Sequence, residues 1–317
     1  MFLFLILLLL SALVLLGLYR WLRNRVGPAP PPEPFEGHVY RVGAAAIAVR
    51  DVSRPRVSVI AMHGFMEDFR YFVDFYDQPG VQFIGVLSGD YHLPVSNPDV
   101  REASWAKPPA APLGTIRHDA EVLCQALEHL PPSPRVRVHG HSRGGAVVVE
   151  AAGLRPDLFQ DVEVVLEAPV LPGGTPYREL PAPVRWLLPL LMPLWRRWPI
   201  NPTNLGAWGR LDIPRKRELI ESLPYTPRRV STMLTNLRDM EAWMHERGVE
   251  ALAPLKAGVV LVPDRDRVLS PTTMAASARC ASALETVTVA GCSHFVRFDQ
   301  PGRIPSLPQS DGRAVAQ

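Results

Sequence analysis

Ser142 stands between Gly140 and Gly144 in the run VRVHGHSRGGAVVVE, residues 136–150. The residues before it alternate as a β-strand does, and those after it form a small-residue apolar run suited to a buried helix. A serine on such a strand-to-helix turn can be held out from the backbone as a nucleophile. Glycines two residues to either side leave room for the close approach of strand and helix. A serine hydroxyl is a weak nucleophile at neutral pH, so the chemistry also needs a base, an acid to orient it, and N–H donors for a developing oxyanion. Downstream the chain supplies two acids and then a histidine. Asp264 and Asp266 follow an apolar run in VVLVPDRDRVLSP, and His294 follows the next such run in TVAGCSHFVRFDQP. Either acid could orient the base, so spacing leaves both open. Among the other histidines near motifs, His63 is expected to bond backbone, and the neighbouring Glu67–Asp68 pair to open a helix rather than hold a metal.

These residues require strands that end together. Strand-like runs recur at 38–43, 45–52, 56–64, 81–89, 136–142, 162–169, 258–264 and 284–291. The first two read as an antiparallel pair. Helical stretches lie between the later ones at DFRYFVDFYD, IRHDAEVLCQALEHL, GGAVVVEAAGL and TTMAASARCA. An opening hairpin followed by alternating strand and helix predicts an α/β domain with a mostly parallel sheet covered on both faces. From about Leu171 to Pro254 no strand is expected. That stretch holds Trp186, Trp195, Trp198, Trp208 and Trp243, and it reads as a helical lid inserted between two core strands. The stretch SGDYHLPVSNPDVREASWAKPP reads as a long irregular connection.

At this point the chain resembles the α/β-hydrolase fold superfamily, in its lipase, esterase and thioesterase branch. The resemblance covers roughly residues 38 to 303 through HGF at 63–65, GHSRGG at 140–145, PDRDRVLSP at 263–271 and GCSHFVRFDQP at 291–301. It implies that Ser142 is the nucleophile and His294 the base. Asp266 falls on the family's acid position, although Pro263 stands where a glycine is common; this favours Asp266 over Asp264. The resemblance also implies an oxyanion hole made by the N–H groups of Phe65 and Arg143. The stretch after the fourth strand lacks the family's frequent D-x-x-G-x-G-x-S pattern.

The domain organisation follows. Met1 to Tyr19 carry no charge and are nearly all Leu, Phe, Ile and Val, long enough as a helix to cross a bilayer. No Lys or Arg precedes this run and no small-residue cleavage site follows it, so it reads as an uncleaved anchor rather than a signal peptide. Trp21 and the arginines of RWLRNR suit the interface and headgroups. The arginine side favours a cytoplasmic domain. Residues 1–25 are thus an anchor with a basic flank. The Pro-rich linker 26–37 is expected to act as a stiff spacer holding the domain off the bilayer. Residues 38–170 and 255–304 form the core, 171–254 the lid and 305–317 a C-terminal tail.

The net charge of +3, from 34 basic and 31 acidic residues without a basic run, gives no sign of nucleic acid. Three cysteines, Cys124, Cys280 and Cys292, lack metal-ligand spacing and are expected as buried or half-buried side chains, with no disulfide framework. No metal and no cofactor are implied. The partners expected are a lipid or acyl ester substrate and the membrane bilayer, with lid arginines Arg185, Arg196, Arg197, Arg228 and Arg229 able to meet anionic headgroups. The expected function is a membrane-anchored serine hydrolase of carboxylic esters, of lipase, phospholipase or lysophospholipase type. The alternatives are an acyltransferase or thioesterase using the same residues, and a non-catalytic ligand-binding member.

Overall fold

The computed structural model describes residues 1–307; of the expected tail 305–317, all but its first three residues lie outside the described residues. The chain opens with α1 (Phe2–Asn24), then forms β1 (His38–Val42), β2 (Ala45–Arg50), β3 (Val57–Met62), α2 (Arg70–Val73), β4 (Val81–Leu87) and β5 (Asp99–Arg101). Next come α3 (Ile116–His129), β6 (Val136–His141), α4 (Arg143–Leu154) and β7 (Val162–Glu167). The insertion carries α5 (Ala182–Arg197), α6 (Leu205–Trp208), α7 (Pro214–Ser222) and α8 (Val230–Glu246). The fold closes with β8 (Ala257–Pro263), α9 (Pro271–Ala278), β9 (Glu285–Val289) and α10 (Val296–Asp299).

Among the described residues nine strands form one sheet in the order β5-β1-β2-β4-β3-β6-β7-β8-β9. Only β2 runs antiparallel to its neighbours, β1 and β4; every other pairing is parallel. This is the expected α/β architecture. The runs VSVIAM and VQFIGVL are buried at every position, as strands covered on both faces must be. Along β3 the side chains part by the two-residue period: Val57, Val59 and Ala61 enter one apolar cluster, Ile60 and Met62 the other. Helices α3 and α4 pack on the second of these faces. Thr115 caps α3 by accepting the His118 N–H at 3.1 Å. The register aligns Met62 of β3 with Gly140 of β6, and Gly140 with Leu166 of β7. The loops leaving β3, β6, β7, β8 and β9 therefore gather at one end of the sheet, where open α/β sheets bind ligands.

Several expectations change. DFRYFVDFYD contracts to the four residues of α2. The chain there runs through three-residue turns, such as Tyr71 N–H to Asp68 O, while Phe69, Phe72 and Tyr76 bury. The irregular connection after β4 contains β5, which pairs with β1; its three side chains are all exposed and leave no alternation to read. The linker does not stand off as a spacer but lies along the domain like a strap. Gly27 N–H donates to Arg228 O at 2.7 Å, and Glu33 pairs with Arg70 (2.8 Å) and Arg215 (2.7 Å). A carboxylate within the proline run thus docks it against two arginines. Cys280 is exposed, whereas Cys124 and Cys292 are buried. Trp243 is not part of a cover over the site: it lies in the main core and donates Nε1–H to Glu150 at 3.1 Å. Of the insertion's arginines, Arg185 pairs with Glu241, Arg229 with Asp90, and Arg196 donates to Pro224 O. These three are held by protein rather than left for headgroups.

Candidate active site

Ser142 joins β6 to α4 with φ 52° and ψ −120°, a left-handed conformation that a non-glycine residue adopts only under constraint. The constraint is visible. Ser142 N–H donates to Glu167 O at 2.9 Å, and Ser142 O accepts from Gly145 and Val170 N–H, both at 2.9 Å. A Cβ at Gly144 would come within 2.1 Å of Met62 O, and one at Gly140 within 2.7 Å of Gly144 O. Both obstacles are backbone, so neither position admits a side chain.

His294, on the loop after β9, has Nδ1 2.6 Å from Asp266 Oδ2, and both residues are buried. The other carboxylate oxygen of Asp266 accepts the N–H groups of Val268 (2.7 Å) and Leu269 (3.0 Å). Asp266 is thereby aimed by its own loop. Asp264 points elsewhere: its Oδ1 accepts Cys292 N–H at 3.3 Å and joins the turns after β8 and β9. Ser142 and His294 face one cavity of about 290 Å³, together with Phe65, Trp195, Trp208 and Phe295. Trp195 comes from α5 and Trp208 from α6, so part of the insertion walls the site.

Phe65 lies on the loop after β3. Met66 N–H is engaged by Tyr91 Oη at 3.2 Å, whereas among the described residues no protein group accepts the N–H of Phe65. Arg143 opens α4, and N–H groups of a first helical turn have no acceptor within the helix. Phe65 lines the cavity with Ser142, and Arg143 follows it in the chain. The Arg143 side chain is fully buried and bonds Asp119 at 2.7 Å. Burial alone would raise the Asp119 carboxyl, but Arg143 and His118 hold it well below the usual carboxylate range.

Behind the serine lies a polar network that sequence reasoning did not find. Glu67, expected to start a helix, instead accepts Gly64 N–H at 2.9 Å and faces His141 Nδ1 at 2.8 Å. The other His141 nitrogen lies 3.1 Å from His294 O. Burial would lower the His141 pKa, but the carboxylates of Glu67 and Glu167 outweigh it and push it up to about 9. Glu167, at the end of β7, receives the Tyr71 hydroxyl (2.6 Å), Arg297 N–H (2.7 Å) and His139 Nε2 (3.1 Å). Burial would raise its carboxyl; His139, His141 and the Tyr71 hydroxyl bring it down to about 2. The available signal was a glutamate closing the apolar run VEVVLE, a place where an acid needs partners. His63 bonds backbone on both sides, Gly64 O at 2.8 Å and Ser88 N–H at 3.1 Å. Among the described residues no cluster of His, Cys, Asp or Glu is arranged to hold a metal.

Residues 59–304 match the model of the Alpha/beta hydrolase family. No curated protein matches the chain. Among solved structures, an esterase from Exiguobacterium antarcticum is similar at 13% identity and TM-score 0.57, covering 84% of this chain and 95% of that one. A thermophilic esterase from Thermogutta terrifontis is similar at 18% identity and TM-score 0.53, with coverage of 82% and 90%. The N-acyl homoserine lactonase AidH is similar at 12% identity and TM-score 0.57, with coverage of 84% and 93%. At such identities the likeness is one of fold.

Proposed function

Because the chain belongs to the alpha/beta hydrolase family, we propose that it is a serine hydrolase of carboxylic esters, acting on lipid or medium-chain acyl substrates and held at a membrane by α1. The observation that carries this reading is the meeting in one cavity of Ser142, on its strained turn, and His294, tied through Nδ1 to Asp266. Ser142 Oγ attacks the ester carbonyl carbon as His294 Nε2 takes its proton. Asp266 holds the Nδ1–H, which selects the tautomer and stabilises the imidazolium. The N–H groups of Phe65 and Arg143 receive the oxyanion. His294 then gives the proton to the departing alkoxide, releasing the alcohol and leaving Ser142 acylated. Water, giving a proton to His294, adds to the acyl carbon, and collapse returns Ser142 and the carboxylic acid.

Ester chemistry is supported by the similar structures, two esterases and a lactonase. A lipid or acyl chain is supported by the aromatic cavity wall. Anchoring is supported by the exposed 23-residue apolar helix, about 34 Å long.

A fluorophosphonate probe should label the protein at Ser142. Ser142→Ala should abolish the label and lower kcat on a short-chain ester by roughly four to six orders of magnitude. Asp266→Asn should cost about four orders, through the wrong tautomer, and Asp264→Asn far less. Near-wild-type turnover by Ser142→Ala would refute the reading. Supplying alcohol or water as acceptor, and thioesters beside esters, separates hydrolysis from acyl transfer.

A further inference from the structure

Helix α5 is apolar on both sides. Inward, Met192 is buried, Leu188 packs beside it, and Trp195 lines the cavity. Outward, Trp186, Leu194 and Trp198 are 59%, 54% and 57% exposed, with Val184 and Leu191 exposed beside them. Val184, Leu191, Leu194 and Trp198 share one line along the helix and its cap, with the half-buried Leu187 between them, and Trp186 stands to one side of that stripe. The clustering is marked. Beyond Val26, large apolar side chains are exposed at ten described positions, and seven of these lie between Leu180 and Leu205. Arg185, Arg196 and Arg197 keep α5 from being apolar all round, but an exposed apolar stripe of this length marks a contact surface, and the outer side of α5 is in no core.

The place of α5 beside α1 indicates what covers it. The ring of Tyr19, near the end of α1, stacks on Trp186 at 5.0 Å, and Leu22 of α1 is buried. The strap from Gly27 to Glu33 then ties the chain to Arg228, Arg70 and Arg215, leaving little slack for the domain to swing away. The exposed side of α5 therefore adjoins the end of α1 through Trp186. Arg25 lies over the Trp21 ring at 4.4 Å, and Arg197 over Trp198 at 5.5 Å. Arginine on tryptophan suits the boundary between acyl chains and headgroups.

We propose that the outer stripe of α5 lies in the membrane interface, with the lipid bilayer as its occupant. This rests on reading α1 as a membrane span. One helix then separates lipid from the cavity, with Leu194 and Trp198 on the lipid side and Trp195 on the side of Ser142. Substrate enters from the bilayer past α5.

The test uses the full chain in phosphatidylcholine vesicles containing a minority of anionic lipid. Leu194→Cys in a Cys280→Ser background carries an environment-sensitive fluorophore; the wild type labelled at its exposed Cys280 is the reference. Cys280 lies between α9 and β9, at the end of the sheet away from the site, and the other two cysteines are buried. The label at 194 should be quenched by brominated lipid and be at least ~5-fold less accessible to iodide than the label at 280. Equal iodide access in vesicle-bound protein overturns the proposal and leaves α1 as a span. Failure of the protein to float with vesicles overturns both. Protection that appears in detergent and grows with protein concentration assigns the stripe to a second copy of the chain, and also overturns it. Neither label depends on turnover, so loss of the serine chemistry would leave this readout intact. In a second arm, Leu194→Asp and Trp198→Asp should leave soluble-ester turnover unchanged and lower turnover of a bilayer-embedded ester by ~10-fold or more. Equal losses on both substrates would make the stripe a support of the cavity and overturn the proposal.

Discussion

His141 faces an acceptor at each ring nitrogen, the Glu67 carboxylate at one and a backbone carbonyl, that of His294, at the other. Two acceptors favour the imidazolium, which donates from both nitrogens. It thereby joins three pieces of the site: the loop of Gly64 and Phe65, the strand that presents Ser142, and the backbone of His294. The consequence is a dependence on pH with a definite sign. The folded-state pKa is raised from the ordinary 6.5 to about 9. The stabilisation is therefore complete below about 6.5 and is lost as pH rises through about 9. The melting temperature of the wild type should fall across that window, and the fall should be shallower for His141→Gln, which cannot lose a proton there. Parallel profiles for the two proteins would assign the dependence to other groups.

At the scale of elements, the meeting of β3, β6 and α4 is so close that backbone touches backbone. Gly144→Ala would set a Cβ 2.1 Å from Met62 O, and no rotamer change relieves that. The expected cost is at least ~3 kcal/mol in urea denaturation, with loss of probe labelling as the turn at Ser142 shifts. Gly153, in the same helix, has nothing within 4 Å of its added Cβ. Gly153→Ala should be neutral or stabilise by up to about 1 kcal/mol, because glycine is a poor helix former. The pair of variants isolates close approach from helix propensity. Similar effects from both would mean that the strand–helix contact is slack.

For the whole molecule, the strap gives the N-terminal segment two separable parts. Deleting residues 1–25 removes α1 but keeps Gly27 and Glu33 on the domain. That protein should lose salt-resistant membrane sedimentation and keep most of its turnover on a soluble ester. Deleting residues 1–37 also removes Glu33, leaving the buried Arg70 with Asp68 as its carboxylate partner and Arg215 with Asp74 and Glu218. Losing a partner of a buried charge costs about 1–3 kcal/mol, which in a domain of this size lowers Tm by roughly 2–5 °C relative to the shorter deletion. Identical melting of the two deletions would mean that the strap adds no stability.

Local pattern was enough to read the alternating elements, the apolar N-terminal helix and the glycine-bracketed serine. A buried parallel strand, a bilayer-length helix and a turn without room for side chains each impose residue types on their own few positions. The two acids after β8 could be picked out in the same way, but not chosen between on spacing, because both lie just past a strand end. The folding of the Val268–Leu269 backbone around Asp266 brings that carboxylate, and not Asp264, to His294. Tertiary structure alone decided the rest. Glu67, His141 and Glu167 meet from separate loops and strands, and an acid and a histidine 74 residues apart leave no periodic trace. The proline strap read as a spacer because stiffness is local, whereas its docking depends on Arg70 and Arg215, which only the completed fold places beside Glu33.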